Sequence, residues 1–419
     1  MSATTRPDHR QGVEAQTGSG LSGGLVLMLA VTVGAAVANR FYIEPLLRLV
    51  ADTLHTSTVA SGLLVTFAQV GYVIGLVLVV PLGDLFERRR LVGVMLLIAA
   101  LAAIACAAAP NLPVLAVAIF SLSLLSVAAQ ILIPLAATMA APENRGRVVG
   151  TVTSGLLIGV LLARTASGIA AGFGGFRLIF ACAAAAMFIL AILLWLKLPP
   201  NPPSERESYP ALLRSTWALV AEEPVLRQRM ALAFIQMAGF TVLWTPSAFL
   251  LAGAPYHYDT TVIGLFGLVG VAGALAAPFA GRLGDQGHGR LTVTGALIAM
   301  LLSWGLLALG TWSLIALVSG IALLDMAFQG AHINHQRTIY ALRPDARSRL
   351  NTAYMVAFFF GGVFGASFAI FTYDSFGWIG DCVLGAVLAL LALLFWAATW
   401  KVGLVEKQKD TPITRPGRN

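Results

Sequence analysis

Val80-Pro81-Leu82-Gly83-Asp84-Leu85-Phe86-Glu87-Arg88-Arg89-Arg90-Leu91 joins two long apolar runs through a charged hairpin. The first run ends at Gly83 and Asp84, three arginines follow, and the next run begins at Leu91. The chain repeats this pattern where Gly284 and Asp285 are followed by Arg290. The two aspartates lie 201 residues apart (285 − 84). A charged hairpin at the same place in two apolar segments indicates a membrane protein built from two related halves.

The composition excludes most soluble classes of protein. Charged residues make up 11% of the chain, against roughly 25% in soluble domains, and apolar residues make up 58%. A water-soluble fold cannot bury that much apolar surface, so we expect a lipid bilayer around most of the chain. The net charge of +8 would indicate nucleic acid only if it lay on one folded face. Here it is divided among short loops, which argues against a nucleic-acid partner.

Twelve apolar runs are long enough to cross a bilayer, for which a helix needs about 20 apolar residues. The predicted spans, numbered 1 to 12 in chain order, are 23–47, 59–83, 91–109, 112–140, 148–172, 176–198, 229–252, 261–281, 291–309, 312–335, 351–372 and 378–401. We therefore predict an all-α membrane protein with twelve transmembrane helices in two pseudo-symmetric six-helix halves.

The longest interruption separates the two halves and carries four prolines, at 199, 200, 202 and 203. It also contains a short amphipathic stretch near 212–220. The predicted domains are a cytoplasmic tail at 1–22, a first half at 23–198, a cytoplasmic linker at 199–228, a second half at 229–401 and a cytoplasmic tail at 402–419.

The basic residues predict the orientation in the membrane. With the N-terminus inside, 23 of the 27 Lys and Arg (27 − 4) fall on cytoplasmic segments or span ends. The four exceptions are Arg40, Arg48, Arg164 and Arg177. Because cytoplasmic loops of membrane proteins are rich in Lys and Arg, we expect both termini inside a bacterial cytoplasmic membrane.

Two further pairs of residues keep nearly the same spacing as the aspartates. Pro142 and Pro344, which precede spans 5 and 11, are 202 residues apart, and Pro45 and Pro246 are 201 apart. Shared hydrophobicity alone does not produce a constant offset. Two similarly oriented halves around a midplane site are the architecture of many secondary transporters.

The hairpin resembles the loop motif G-x-L-x-D-R-x-G-R-R of the major facilitator superfamily, in its twelve-span drug:proton antiporter and sugar-efflux branch. Leu82, Asp84, Arg88 and Arg89 fit this motif. The positions that depart from it are Val80, Leu85 and Glu87, and the second copy keeps Gly281, Leu283, Asp285 and Arg290. The resemblance implies proton-coupled transport by alternating access.

Two spans carry further patterns of this branch. Span 5 resembles the antiporter pattern G-x8-G-x3-G-P-x2-G-G, with small residues at the expected sites and Arg164 in place of proline. The small residues are Gly150, Gly159, Ala163, Ser167 and Gly168. In span 1, the stretch 38–47 resembles A-N-x-Y-Y-x-Q-P-L-L, with Glu44 where glutamine is usual.

The resemblance also implies a role for the hairpins as latches of the outward-facing state. Asp84 is expected at the C-terminus of its own helix, where a negative charge is unfavourable, so it needs a cation or another helix N-terminus. In the family this aspartate meets the start of span 11, here near 348–352, and Asp285 would meet the start of span 5. The predicted latch residues are Gly83, Asp84, Arg88, Arg89, Arg145, Gly284, Asp285, Arg290 and Arg349.

Asp325 is the only acid predicted in the middle of a span, and Gln329 and His332 share its helical face. A carboxyl group in a partly dry cavity holds a proton more readily than one in water. We therefore predict Asp325, His332 and Glu44 as proton-coupling residues. The alternative for Asp325 is a structural carboxylate that is held by hydrogen bonds from neighbouring helices.

Two arginines in the outer halves of spans have alternative interpretations. Arg164 either pairs with Asp325 or Glu44, binds an anionic group of the substrate, or reaches the outer interface. Arg40, Glu44 and Arg48 follow at i, i+4 and i+8, which is typical of an ion-pair ladder on one helix. A gating or recognition role is the second interpretation of this row.

Isolated polar and aromatic residues in the spans either join helices or line a cavity. The predicted cavity residues are Asn39, Tyr42, Gln69, Tyr72, Gln130, Arg164, Gln236, Trp244 and Gln329. His332 and Gln130 are 202 residues apart, so we expect them to face each other across the cavity.

These patterns predict a proton-coupled secondary transporter that exports a small organic molecule. The sequence shows no nucleophile–base pair, cofactor motif or metal cluster, and its three cysteines lie in separate apolar runs as packing residues. We therefore expect no enzyme activity, no cofactor and no metal, and a monomer whose partners are a small-molecule substrate, the proton and the bilayer. Import by proton symport and a non-transporting receptor or scaffold are the alternatives.

Overall fold

The computed structural model describes residues 21–141, 143–200, 208–343 and 346–402, and helices dominate these ranges. The helices of the first half are Gly23–Phe41, Leu47–Thr53, Thr58–Leu78, Leu82–Leu85, Arg88–Ala108, Leu112–Leu125, Ala128–Met139 and Arg145–Lys197. The remaining helices are Tyr209–Glu222, Pro224–Ala252, Thr260–Leu265, Val271–Leu283, Gly289–Leu309, Leu314–Leu342 and Arg347–Ala398.

Two of the helices are too long to cross a bilayer once. Arg145–Lys197 has 53 residues, about 80 Å at 1.5 Å per residue, whereas the hydrocarbon core is about 30 Å thick. It reverses at Gly175 (φ 67°), and Arg347–Ala398 reverses in the same way at Gly377 (φ 63°). A positive φ suits glycine because it has no Cβ. The two glycines are 202 residues apart, so the turn belongs to the same internal repeat.

The described residues contain nine helices that are long and apolar enough to span a membrane. The two reversed helices each supply two crossings, which makes eleven (9 + 2). The twelfth is span 8, in which a 3₁₀ turn, Phe266–Gly270, separates Thr260–Leu265 from Val271–Leu283. The predicted all-α fold with twelve spans is therefore confirmed.

Glycines allow the spans within each half to approach closely. In the first half, Gly34 of span 1 lies against the backbone of Gly155 and Gly159 in span 5. In the second half, Gly361 and Gly365 of span 11 lie against the backbone of span 7. Spans 1 and 5 correspond to spans 7 and 11 in the repeat, so both halves use the same close packing of small residues.

The two halves are in contact at the ends of the spans remote from the linker. The sequence predicts that these ends face outward, and they are called the outer ends below. Gly168 of span 5 meets Gly264 of span 8, and Thr165 Oγ1 donates a hydrogen bond of 3.0 Å to the Gly264 carbonyl oxygen. On the other side of the molecule, Gly62 of span 2 lies against Ile370 of span 11. These contacts close the outer side above a central cavity.

The linker contains a helix, Tyr209–Glu222, which is longer than the predicted amphipathic stretch. Residues 201–207 of the linker lie outside the described residues, as do residues 1–20 and 403–419 of the two predicted tails. The helix contacts the first half where Tyr209 Oη donates 3.1 Å to the Leu78 carbonyl oxygen. Arg343, just beyond span 10, pairs with Glu223 at 2.8 Å and with Glu222 at 3.1 Å. The hydrogen bond that Arg343 donates to the Glu223 carboxylate raises the pKa of Arg343. These contacts position the linker helix beside the ends of spans 2 and 10.

Candidate functional site

A cavity of about 180 Å³ lies between the two halves, and both halves line it. Most of its wall is apolar or aromatic, and its polar side chains come from spans 1, 2, 4, 5 and 10. The polar lining residues are Arg40, Tyr72, Gln130, Arg164, Asp325, Gln329 and His332. A mostly apolar pocket with a few convergent polar groups is the usual form of a small-molecule site.

Asp325 lies in the middle of span 10 and contributes a carboxyl group to the cavity wall. Its side chain is buried, and two glycines of span 8, Gly270 and Gly273, allow that span to pass close beside it. Trp244 Nε1 lies 3.5 Å from Asp325 Oδ1, which is a long hydrogen bond. Among the described residues Asp325 forms no ion pair. The carboxyl group is thus held in place without a fixed counter-ion.

Arg164, which lines the cavity, forms a buried ion pair with Glu44, which does not line it. Arg164 Nε donates to Glu44 Oε2 at 2.7 Å, and the two side chains are only 5% and 6% exposed. The Arg164 guanidinium also lies 4.0 Å from the ring centroid of Trp244, so Trp244 contacts both Arg164 and Asp325. Of the three sequence interpretations of Arg164, pairing with Glu44 is the one observed, and the side chain does not reach the outer interface.

Arg40 donates a hydrogen bond from Nη1 to Gln69 Oε1 in span 2. Its guanidinium is 4.2 Å from the ring centroid of Phe41, 4.8 Å from Phe359 and 5.3 Å from Tyr72. These rings come from spans 1, 2 and 11, so both halves surround the same cation.

The predicted ion-pair ladder in span 1 is wrong. The helix ends at Phe41, and a 3₁₀ turn with Pro45 follows at Glu44–Leu46, so the three side chains do not share one helical face. Glu44 pairs with Arg164 of span 5, whereas Arg48 pairs with Asp52 at 3.1 Å on the surface. Pro45 interrupts the helix because proline lacks the backbone N–H.

Two further pairs of polar side chains, from spans 2, 4, 10 and 11, lie at the cavity wall. Gln130 Nε2 donates to Tyr72 Oη at 3.3 Å, and His332 Nδ1 lies 3.0 Å from Tyr354 Oη. Gln130 and His332 both line the cavity, and Gln329 lies on the same stretch of span 10. The repeat-related Gln130 and His332 are therefore brought into one cavity from opposite halves.

The remaining predicted cavity residues do not line this cavity. Gln69 is behind Arg40, and Trp244 and Glu44 form a buried layer on the outer side, around a smaller pocket. Asn39 and Gln236 are buried, and both carry side-chain atoms without a hydrogen-bond partner in the described part of the chain. Tyr42 is half-buried outside the cavity.

Sequence reasoning missed much of the wall because its residues are ordinary in membrane spans. Phe240, Phe328, Phe358 and Phe359 line the cavity, but a phenylalanine facing lipid has the same sequence signal. Asp325 is the mid-span acid, as predicted, yet Asp381 is also fully buried, near the outer end of span 12. Both Asp381 oxygens lack a hydrogen-bond partner within the described residues.

The Gly83–Asp84 hairpin forms an internal ion pair. The span 2 helix ends at Leu78, and Asp84 lies in a separate turn, Leu82–Leu85. The expectation that Asp84 ends the spanning helix is therefore wrong, because a turn around Pro81 starts a new helical segment. Arg88 donates from Nη2 to Asp84 Oδ1 at 2.9 Å and from Nε to the Gly83 carbonyl oxygen at 2.9 Å.

The other predicted latch residues lie near the ends of spans that the sequence predicts to be cytoplasmic. Arg145 is exposed, Arg89 and Arg349 are half-buried, and Arg290 donates 3.3 Å to the Val402 carbonyl oxygen. Gly284 and Asp285 lie in the turn Gly284–His288. The Asp285 side chain, Pro142, Pro344 and the Ser348 side chain are outside the described residues.

Within the described ranges, no group of three or more His, Cys, Asp or Glu side chains is arranged to hold a metal ion. The cysteines are free, with Cys106 and Cys382 buried and Cys182 exposed. The lining of the cavity offers charged, polar and aromatic side chains to a bound molecule.

The comparisons with known proteins agree with this geometry. The sequence model described as Major Facilitator Superfamily matches residues 29–341. The chain is 43% identical over 392 residues to the uncharacterized transporter YgaY of Escherichia coli O157:H7, which covers 94% of this chain and 97% of that protein. No residue role is assigned by this likeness.

Two solved structures share the fold. One is a bacterial homolog of the human lysosomal transporter Spinster in an inward-facing, occupied conformation (TM-score 0.75, 15% identity, 91% of this chain and 97% of that chain). The other is the D-xylose-proton symporter (TM-score 0.67, 17% identity, 88% of this chain and 96% of that chain).

Proposed function

Because the chain belongs to the Major Facilitator Superfamily and is therefore a membrane transporter, we propose that it is a proton-coupled secondary transporter that exports a small organic molecule. The solute binds in the central cavity between the halves, and the halves rock around it so that the cavity opens to one side at a time. The proton binds at a carboxyl group in the same cavity.

The observation that carries this proposal is the position of Asp325. It is a buried carboxyl group in the wall of the cavity between the halves, without a fixed ion-pair partner among the described residues. An ionisable residue in a membrane span is costly unless it faces a wet or paired site, and such residues mark ion and proton pathways. His332 and Glu44 are the further candidates for proton coupling.

The contacts of Trp244 support a link between proton binding at Asp325 and closure of the outer ends of the two halves. Trp244 contacts Asp325 on one side and the Arg164 guanidinium on the other. Arg164 in turn belongs to the layer that closes the outer side, through Glu44 and through the backbone contact of span 5 with Gly264. A change in the charge of Asp325 alters the field at Arg164, and so biases the outer closure.

The cellular setting belongs to the same proposal. The distribution of Lys and Arg favours a cytoplasmic membrane with both termini inside. A monomer belongs to the same proposal, since the two halves of one chain together line the central cavity. The resemblance of span 5 to the antiporter pattern favours export.

The proposal predicts that Asp325→Asn abolishes solute-dependent proton movement, because the amide cannot bind and release a proton. Proteoliposomes that contain a pH-sensitive dye are exposed to a panel of sugars, aromatic acids and amines. Compounds that change the internal pH with the wild-type protein are then measured with the variant. Asp325→Glu is expected to retain part of the signal.

Asp381→Asn is the matched control, since Asp381 is equally buried in a span of the same half but lies away from the cavity. Proton movement that persists in Asp325→Asn at the wild-type rate would return Asp325 to a structural role. The sign of the pH change separates exchange of solute for protons from movement of both in the same direction.

A further inference from the structure

The cavity wall contains one cation, Arg40, that has no ion-pair partner among the described residues. Arg164 is neutralised by Glu44 at 2.7 Å, and Asp325 is the only carboxylate that lines the cavity in the described part of the chain. Arg40 also lines the cavity, is 5% exposed, and forms no ion pair with a described acid. Its only hydrogen bond within the described ranges goes to the neutral Gln69.

A buried guanidinium without an ion-pair partner is costly, because the charge has left water. The carboxylate that acts on Arg40, Glu44, is already paired with Arg164. The rings of Phe41, Tyr72 and Phe359 offset part of this cost through cation–π contact. A guanidinium has several N–H donors, however, and Gln69 accepts from only one of them. The remaining donors belong to a side chain that faces the cavity.

We propose that the transported solute is a small organic anion, a monocarboxylate with an apolar or aromatic body, and that Arg40 binds its carboxylate. This inference rests on the proposed function, since it names the substrate class of the same cavity. A guanidinium pairs with a carboxylate through two parallel hydrogen bonds. A carboxylate bound at Arg40 would accept hydrogen bonds from the donors that Gln69 leaves free.

The rest of the wall fits the body of such an anion. Phe41, Tyr72 and Phe359 surround the guanidinium, and Phe240, Phe328 and Phe358 continue the aromatic lining. A sugar would need many polar partners, whereas these surfaces offer apolar contact to a ring or a short chain. The volume of about 180 Å³ lies below the roughly 300–1,000 Å³ of pockets for drug-sized ligands, which favours a compact solute.

The charges also predict how the anion couples to the proton. A bound carboxylate and an ionised Asp325 in the same cavity repel each other, so the anion binds best when Asp325 carries a proton. Arg40, Arg164 and His332 line the same cavity as Asp325. Of these, Arg164 is the one whose charge acts on Asp325, and it remains paired with Glu44. Anion and proton are therefore expected to cross the membrane in the same direction, so for this substrate class the inference favours import by proton symport, the alternative to export. The sign of the pH change in proteoliposomes separates the two.

The test measures thermal unfolding of the purified protein in detergent. Benzoate and phenylacetate are the probes, and benzamide and phenylacetamide are the uncharged controls of nearly the same shape. The carboxylates are expected to raise the Tm of the wild type by several degrees at saturating concentration, and the amides are not. Arg40→Gln is expected to remove the shift, and Arg48→Gln to keep it, because Arg48 pairs with Asp52 on the surface.

A second measurement needs no ligand. If Arg40 is an uncompensated charge kept for binding, Arg40→Gln has the same Tm as the wild type or a higher one. Arg164→Gln, which strands Glu44, lowers the Tm. A fall in Arg40→Gln as large as that in Arg164→Gln would mean that Arg40 is structural and would overturn the proposal.

Three ligand outcomes also overturn it: no shift with either carboxylate, equal shifts with the amides, or an equal shift with inorganic phosphate, which would indicate an inorganic anion. Different outcomes would contradict the proposed function and the anion site. Benzoate that binds at Arg40 but moves no protons in wild-type proteoliposomes contradicts proton coupling and leaves the anion site intact. Proton movement that is driven only by neutral solutes contradicts the anion site and leaves proton coupling intact.

Discussion

Arg164 and Glu44 are the most deeply buried ion pair among the described residues, and the energetics of such a pair are asymmetric. Both side chains are about as buried as the apolar core around them, at 5% and 6% exposure. Desolvation cancels much of the attraction in an intact buried pair, whereas removal of one partner leaves the other charge without compensation. Replacement of one residue is therefore more harmful than replacement of both.

We expect Arg164→Gln and Glu44→Gln each to destabilise the protein by roughly 3–5 kcal/mol. The double variant should recover most of that loss, because no charge remains unpaired. The measurement is a double-mutant cycle of thermal stability in detergent, compared at equal ionic strength. The Arg48–Asp52 pair is the control, since exposed pairs contribute about 0–1 kcal/mol. Additive effects of the two substitutions would show that the side chains act independently.

The two arginines of the cavity differ in how well sequence predicts them. Arg164 stands out because it replaces a proline in a pattern of small residues. Arg40 has the spacing of a surface ladder, but the helix ends at Phe41, so Glu44 leaves that helical face and Arg40 binds Gln69 instead. The difference arises because a helical pattern predicts contacts only as long as the helix continues.

At the scale of helices, the contact between the outer ends of the two halves depends on the crossing of spans 5 and 8. A Cβ at Gly264 would lie 2.7 Å from the Arg164 carbonyl oxygen and 2.9 Å from Gly168 Cα. Both neighbours are backbone atoms, which cannot rotate out of the way as a side chain can. The closed arrangement of the outer ends therefore requires glycine at this position.

Gly264→Ala is expected to weaken the outward-closed state and to lower transport at least tenfold, with normal amounts of folded protein in the membrane. A cysteine placed at Thr261, in a background without the native cysteines, reports the state through its labelling by a membrane-impermeant maleimide. Labelling should rise in Gly264→Ala. Gly305→Ala is the matched control, because no atom lies within 4 Å of its Cβ position. Unchanged labelling and transport in Gly264→Ala would contradict a role for this crossing in closure.

At the scale of the whole molecule, the repeat explains why a charged hairpin remote from the cavity is expected to affect transport. With the outer side closed, Asp84 pairs with Arg88 in its own hairpin. The proposed latch requires Asp84 to exchange this partner for the start of span 11 when the cytoplasmic side closes. Such an exchange shifts the balance between two conformations without any contact with the solute.

Asp84→Asn is therefore expected to reduce transport several-fold while thermal stability and membrane insertion stay normal. Asp52→Asn is the control, because Asp52 is also an exposed aspartate paired with an arginine four residues away, with side-chain exposure of 60% against 51% for Asp84. Flux of the substrate into proteoliposomes is measured for both variants. Wild-type flux in Asp84→Asn, or an equal loss in Asp52→Asn, would contradict the latch.

The amino-acid sequence was sufficient for the fold, the twelve spans, the internal repeat and the prominence of Asp325. These features depend on hydrophobic length, on the offset of 201 or 202 residues and on the cost of an acid in lipid, which are local or additive properties of the chain. The composition of the cavity depends instead on where separate helices bend and cross. The end of span 1 at Phe41 and the glycine crossings bring Arg40, Arg164, Trp244 and Asp325 together from spans 1, 5, 7 and 10. Such contacts between distant segments have no periodicity in the sequence, so only the tertiary structure could reveal an unpaired cation in the cavity.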